Sequence, residues 1–116
     1  MISQIIPKLP FIDKQNTIDY YKNLGFEFTA DYGNYLIAVY NNSEVHFFEF
    51  KELTPAKSDF MLYLKISNNI DKFYQQIQDK KIAIHPNGSL ESKSWSMKEF
   101  SLIDPAGTLL TFGEKI

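Results

Sequence analysis

Two imidazoles, one indole and a scatter of carboxylates are the side chains of this chain that could do chemistry. His46 stands in Val45-His46-Phe47-Phe48, an apolar strand pattern, which makes it a hydrogen-bonded wall residue before it is a base or a metal ligand. His85 precedes Pro86 in a polar stretch and reads as a solvated side chain. Glu99 and Asp59 lie in alternating segments and could draw a cation, although exposed strand carboxylates are ordinary. Trp95, the single tryptophan, has two readings: partly buried packing just ahead of a strand, or a flat face for a ligand. The chain has no cysteine, which excludes disulfides, thiolate metal sites and a thiol nucleophile. All twelve basic residues are lysine, so the guanidinium fork that grips phosphates and carboxylates through paired bonds is missing.

The elements that must position these groups are bounded by length and composition. With 116 residues the chain suits one compact domain, residues 1–116, large enough for a core without staples. Aromatic residues make up 16% of it (ten Phe, seven Tyr, one Trp), more ring surface than a small core needs. Twelve lysines oppose fourteen acids, interspersed instead of gathered into a stripe, so nucleic acid is not an expected partner. No run of about 18 apolar residues occurs, and Met1 to Pro10 has no basic region leading into an apolar one. The expectation is a soluble, cytoplasmic protein with no membrane partner.

The chain runs through one programme twice. Thr17-Ile18-Asp19-Tyr20-Tyr21 opens an amphipathic helix that Asn69-Ile70-Asp71-Lys72-Phe73-Tyr74 echoes, and each helix is followed by short alternating runs. The first half reads as a strand over Gln4–Ile12, demoted to an edge or crossover by Pro7 and Pro10. Then comes a helix capped by Asp13 and stopped by Gly25, with strands at Phe26–Asp31, Tyr35–Tyr40 and Glu44–Phe50. Lys51–Lys57 reads as a linker. The second half reads as a strand over Asp59–Ile66, a helix over Asn69–Lys80, a short strand Ile82–Ile84, a polar loop His85–Ser94, and strands at Met97–Ile103 and Thr108–Glu114. Asp104-Pro105-Ala106-Gly107 suits the turn between the last two. The fold class is α+β: two βαβββ modules, about 1–54 and 55–116, forming a curved mixed sheet whose concave side is a cup.

Strand alternation sorts the faces. Phe60, Leu62, Leu64 and Ile66, with Val45, Phe47, Phe100 and Leu102, should pack on the helices. Asp59, Met61, Tyr63 and Lys65, with His46, Phe48, Phe50, Glu99 and Ser101, should face the cup.

Leu9-Pro10 then Asp13, Tyr20-Tyr21, Leu24-Gly25-Phe26, and Asp104-Pro105-Ala106-Gly107 before the last strand together resemble the vicinal oxygen chelate (glyoxalase/bleomycin resistance/dioxygenase) superfamily. Trp95, nine residues before Asp104, resembles the binding-site tryptophan of its bleomycin-resistance branch, and the likeness spans nearly the whole chain. The superfamily's enzymes hold a divalent metal through positions whose equivalents here are Ile6, His46, Met61 and Thr111. Only His46 among them ligates a catalytic metal well, so neither a metal site nor a cofactor is expected. The resemblance also implies an aromatic drug-stacking position at Tyr35, and a homodimer whose chains sometimes exchange the N-terminal strand.

The expected function is therefore that of a metal-free, dimeric binding protein. It would sequester a flat, cationic small molecule such as a bleomycin-group antibiotic without chemistry, so no catalytic residue is assigned. Trp95, Tyr35, His46, Phe48, Met61, Tyr63, Glu99 and Thr111 form the expected ligand-binding set, with Trp95 and Tyr35 as a clamp. The rival from another class is a metal-dependent lyase, isomerase or dioxygenase of the same superfamily, using His46 and Glu99. A third reading is an interaction module whose aromatic residues fill the cup or meet a partner.

Overall fold

A computed structural model describes residues 1–116. The chain divides into two compact units, Met1–Phe60 with Pro105–Thr108, and Met61–Asp104 with Leu109–Ile116.

In the first unit, β1 (Lys8–Phe11) is followed by α1 (Lys14–Leu24), β2 (Glu27–Asp31), β3 (Tyr35–Tyr40) and β4 (Ser43–Glu49). The sheet order is β1-β4-β3-β2, with β1 parallel to β4 and the other pairs antiparallel. Helix α1 begins where Asp13 accepts the Asn16 backbone N–H at 2.8 Å, and it ends at Gly25, whose φ of 110° an L side chain rarely adopts. Its buried face carries Tyr21 and Leu24, and the Tyr21 ring lies 4.8 Å from that of Phe47 on β4. Leu9, Phe11, Leu36, Ala38 and Val45 complete this core. The strand expected from Gln4 starts only at Lys8. Pro7 accepts from His46 N at 3.0 Å but has no N–H to return, so the ladder cannot extend upstream through it.

The second unit repeats the order: β5 (Met61–Lys65), α2 (Ile70–Asp79), β6 (Glu91–Ser92), β7 (Met97–Ile103) and β8 (Leu109–Lys115), with sheet order β5-β8-β7-β6 and β5 parallel to β8. Each module is thus one helix on one four-stranded mixed sheet, the expected βαβββ plan. Asn69 caps α2, and Glu114 accepts from the Ile70 N–H at 2.7 Å. Ile70 and Ile77 are buried, and the rings of Phe73 and Tyr74 lie 5.9 and 5.0 Å from Phe100. Phe100 in turn stacks on Phe112 at 5.0 Å.

Two further expectations fail locally. Ile82–Ile84 is not a strand: Ile82 is buried and its N–H closes back on Ile77 O at 3.2 Å, while the edge strand is supplied later by Glu91–Ser92. Pro86 removes a donor just beyond the expected strand, and this loop meets β7 through His85 N–H to Ser101 O and Ser101 N–H to Gly88 O, each 2.9 Å. Phe60 does not join the helix-facing row either, because it lies outside β5 and its ring meets Phe48 edge-on at 5.9 Å. No helix is long and apolar enough to cross a membrane.

Candidate functional site

The second unit gathers most of its polar chemistry on the face of the sheet away from α2. The turn joining β6 to β7 is closed by Lys93 N–H donating to Met97 O at 2.7 Å, with Ser96 at a positive φ of 64°. That turn carries Trp95. Four residues on, Glu99 of β7 is only 6% exposed, and its Oε2 accepts the Trp95 indole N–H at 3.0 Å and the Tyr63 hydroxyl at 2.7 Å. The expectation of an ordinary exposed carboxylate at Glu99 is therefore wrong. Trp95 stays 61% exposed, which favours the flat-face reading over packing.

Tyr63 reaches Glu99 from the far side of β8. The register sets Tyr63 opposite Thr111, and Lys65 and Glu99 on either side of Gly113, so the phenol crosses the middle strand where a side chain is missing. A Cβ on Gly113 would stand inside the Tyr63 hydroxyl and 2.7 Å from its Cζ. Burial first, and then the hydrogen bond and charge of Glu99, push the Tyr63 phenol up to about 12. The ring as a whole is 48% exposed, but its hydroxyl end rests on the buried carboxylate.

Ser101 Oγ and Thr111 Oγ1 pair at 3.1 Å beside this network. The loop after α2 docks on the same strand, Ser101 N–H donating to Gly88 O at 2.9 Å. A concavity of about 190 Å³ results, walled by Trp95, Glu99, Ser101, Thr111, Lys93 and Asn87. Lys93 is ion-paired with Glu91.

The first unit holds a second chain of contacts. Glu44 Oε2 lies 2.5 Å from His46 Nε2, and the Tyr35 hydroxyl lies 2.7 Å from His46 Nδ1. A carboxylate only accepts, so Nε2 carries the proton, and in the neutral ring Nδ1 accepts the Tyr35 O–H. Lys8, opposite His46 in the β1–β4 register, places its ammonium 5.4 Å from the centre of the Tyr35 ring.

Of the expected ligand-binding residues, Trp95, Tyr63, Glu99 and Thr111 thus meet in the second unit, and Tyr35 and His46 bond to each other in the first. Phe48 packs on Phe50 and Phe60, and Met61, 68% exposed, stands opposite Leu109 and joins neither cluster. The four superfamily metal positions do not fit a metal: Ile6 has no donor, Met61 offers only a thioether, the Thr111 hydroxyl is paired with Ser101, and both His46 nitrogens are engaged. No group of three or more His, Cys, Asp or Glu side chains could hold an ion. Sequence reasoning missed Lys93, Glu44, Lys8 and Gly113 as parts of these sites. Glu44 had a signal, since it lies two residues from His46 on the same strand face; Lys8 and Gly113 had none short of the strand pairing.

No protein-family model matches the chain. The chain is 29% identical to a bleomycin resistance protein of Geobacillus stearothermophilus, over 97% of each chain. It superimposes on the crystal structure of a bleomycin-binding protein complexed with bleomycin with a TM-score of 0.87 and 27% identity, covering 99% of this chain and 100% of that one. A glyoxalase/bleomycin resistance protein/dioxygenase from Alicyclobacillus acidocaldarius shares the fold, with a TM-score of 0.78, 17% identity and coverage of 98% of this chain and 92% of that one.

Proposed function

We propose, from the premise that this chain belongs to the glyoxalase/bleomycin resistance/dioxygenase superfamily and sides with its bleomycin-resistance proteins, that it sequesters a flat, cationic small molecule of the bleomycin type. It lowers the free concentration of that molecule by holding it, with no bond made or broken. The observation that carries this reading is the pinned tryptophan. An exposed indole usually loses rotamer freedom when a ligand stacks on it, whereas Trp95 is already held by Glu99, which Tyr63 holds in turn. Stacking on a fixed aromatic face contributes about 1–3 kcal/mol per ring. In the first unit, Tyr35, steadied by His46 and Glu44, is proposed as a second ligand-contacting ring, with Phe48; in the second, Met61 and Thr111 are proposed as further ligand contacts.

The enzyme reading loses support from the donor set: the residues at the superfamily's metal positions offer one imidazole, already bonded at both nitrogens. The protein is proposed to act as one domain over residues 1–116, as a homodimer, in the cytoplasm. Exposed Met1, Ile2 and Ile5 ahead of β1, and the open edges of β2 and β6, suit pairing with a second copy. Trp95 is the only indole, so adding bleomycin and following fluorescence reports on this site alone. Saturable quenching in the micromolar range, about −8 kcal/mol, is expected. A flat titration to tens of micromolar would remove the drug from the proposal.

A further inference from the structure

The concavity beside Trp95 is too small for a whole drug-sized ligand. Sites for such ligands run to roughly 300–1,000 Å³, against about 190 Å³ here, so this hollow takes one compact group of a larger molecule. Its charge is unbalanced. Glu99 is a largely buried carboxylate whose two hydrogen bonds come from neutral donors and both end on Oε2; no protein group donates to Oε1, which is not sealed from solvent. The one lysine in the wall, Lys93, is committed to Glu91 and does not neutralise it. The hydroxyls of Ser101 and Thr111 are paired with each other. Burying an ionised carboxylate costs free energy unless a cation or further donors meet it. The exposed indole alongside offers a negative ring face, the other feature that favours a cation.

We infer that this hollow is a subsite for a compact organic cation, an ammonium or amidinium group, which donates to Glu99 Oε1 and lies against the ring of Trp95. The inference rests on the reading of the chain as a small-molecule binding protein and specifies which part of the ligand this unit takes. A planar amidinium matches a carboxylate edge better than an ammonium does, because its N–H groups lie in one plane. Neutral groups of the same shape leave the charge of Glu99 unmet and are rejected.

The test uses the full chain and two matched pairs, benzamidine hydrochloride against benzamide and butylammonium chloride against butanol, at constant ionic strength with Trp95 fluorescence as readout. The cation of each pair should produce a saturable change in the millimolar range, and its neutral partner none. Glu99→Gln keeps an oxygen for Trp95 and Tyr63 while removing the charge, and should weaken the cations by about tenfold or more. Equal responses to charged and neutral partners, no saturable response to either cation, or unchanged cation binding in Glu99→Gln would overturn the inference. So would saturation by magnesium chloride alone, which would mean a bare metal ion. Bleomycin titrated into the same two proteins separates the two readings. Drug binding that is equal in wild type and Glu99→Gln sinks the subsite and leaves the proposed function standing; cation binding without drug binding does the reverse.

Discussion

Replacing Gly113 with alanine should release Tyr63 from Glu99 without changing either residue. The new methyl would stand 2.7 Å from Tyr63 Cζ and inside its hydroxyl, whereas carbon atoms rest about 3.5–4.0 Å apart. The phenol must therefore retreat by roughly 1 Å or more, which carries its oxygen from 2.7 Å to beyond hydrogen-bonding distance of Glu99. A hydrogen bond to a charged group is worth about 1.5–3 kcal/mol. Water can replace part of it, because the Tyr63 ring is 48% exposed, so about 1 kcal/mol of that remains as loss. Crowding against the ring and against Glu99 Cγ, 3.2 Å away, adds about 1–2 kcal/mol. Alanine in a strand recovers about 0.5 kcal/mol over glycine. The net cost in wild type is about 2 kcal/mol by urea unfolding. In a Tyr63→Ala background the clash is gone, and the same substitution should stabilise by about 0.5 kcal/mol. Alkaline spectrophotometric titration gives a second reading: one phenol of seven should move from about 12 down towards 10 in Gly113→Ala. An equal cost in both backgrounds, with no phenol moved, would refute the claim that Gly113 exists to let Tyr63 reach Glu99.

Other consequences follow from the same geometry. Trp95→Ala should abolish most drug binding by calorimetry while shifting the unfolding midpoint little, since a side chain 61% exposed contributes modestly to the core; a large loss of stability would recast Trp95 as packing. Tyr63 holds its proton more tightly folded than unfolded, so its share of stability is complete below pH 10 and is lost as pH rises towards about 12. Tyr63→Phe should flatten that part of the pH–stability curve, and an unchanged slope would assign it to other groups. Protein purified without chelator should carry no stoichiometric zinc, iron or manganese by elemental analysis, and about one ion per chain, lost in His46→Ala, would restore the enzyme reading.

Much of this molecule is legible along the chain because it depends on neighbours in sequence. Asp13 and Gly25 bound α1 through backbone groups within a turn of themselves, and Tyr35–Tyr40 and Met97–Ile103 announce themselves by alternation, so those bounds are read correctly. The alternation also puts Phe47 and Phe100 on the helix side, where their rings meet Tyr21 and Tyr74. It further names the residues with useful chemistry, Trp95, Glu99, Tyr35 and His46. What it could not supply is their state. Glu99 looks like a surface carboxylate until β7 is laid beside β8 and Tyr63 reaches over Gly113 to cover it, and Lys8 has no link to His46 until β1 pairs in parallel with β4. Ile82–Ile84 was misread for the same reason: a three-residue apolar run becomes a strand only if a partner edge is free, and here the edge went to Glu91–Ser92. Residue types and local periods determine which elements form and which face is apolar. Register between segments some 40 residues apart is a property of the folded sheet alone, and it decides which carboxylate is buried, which ring is held and where a glycine leaves room.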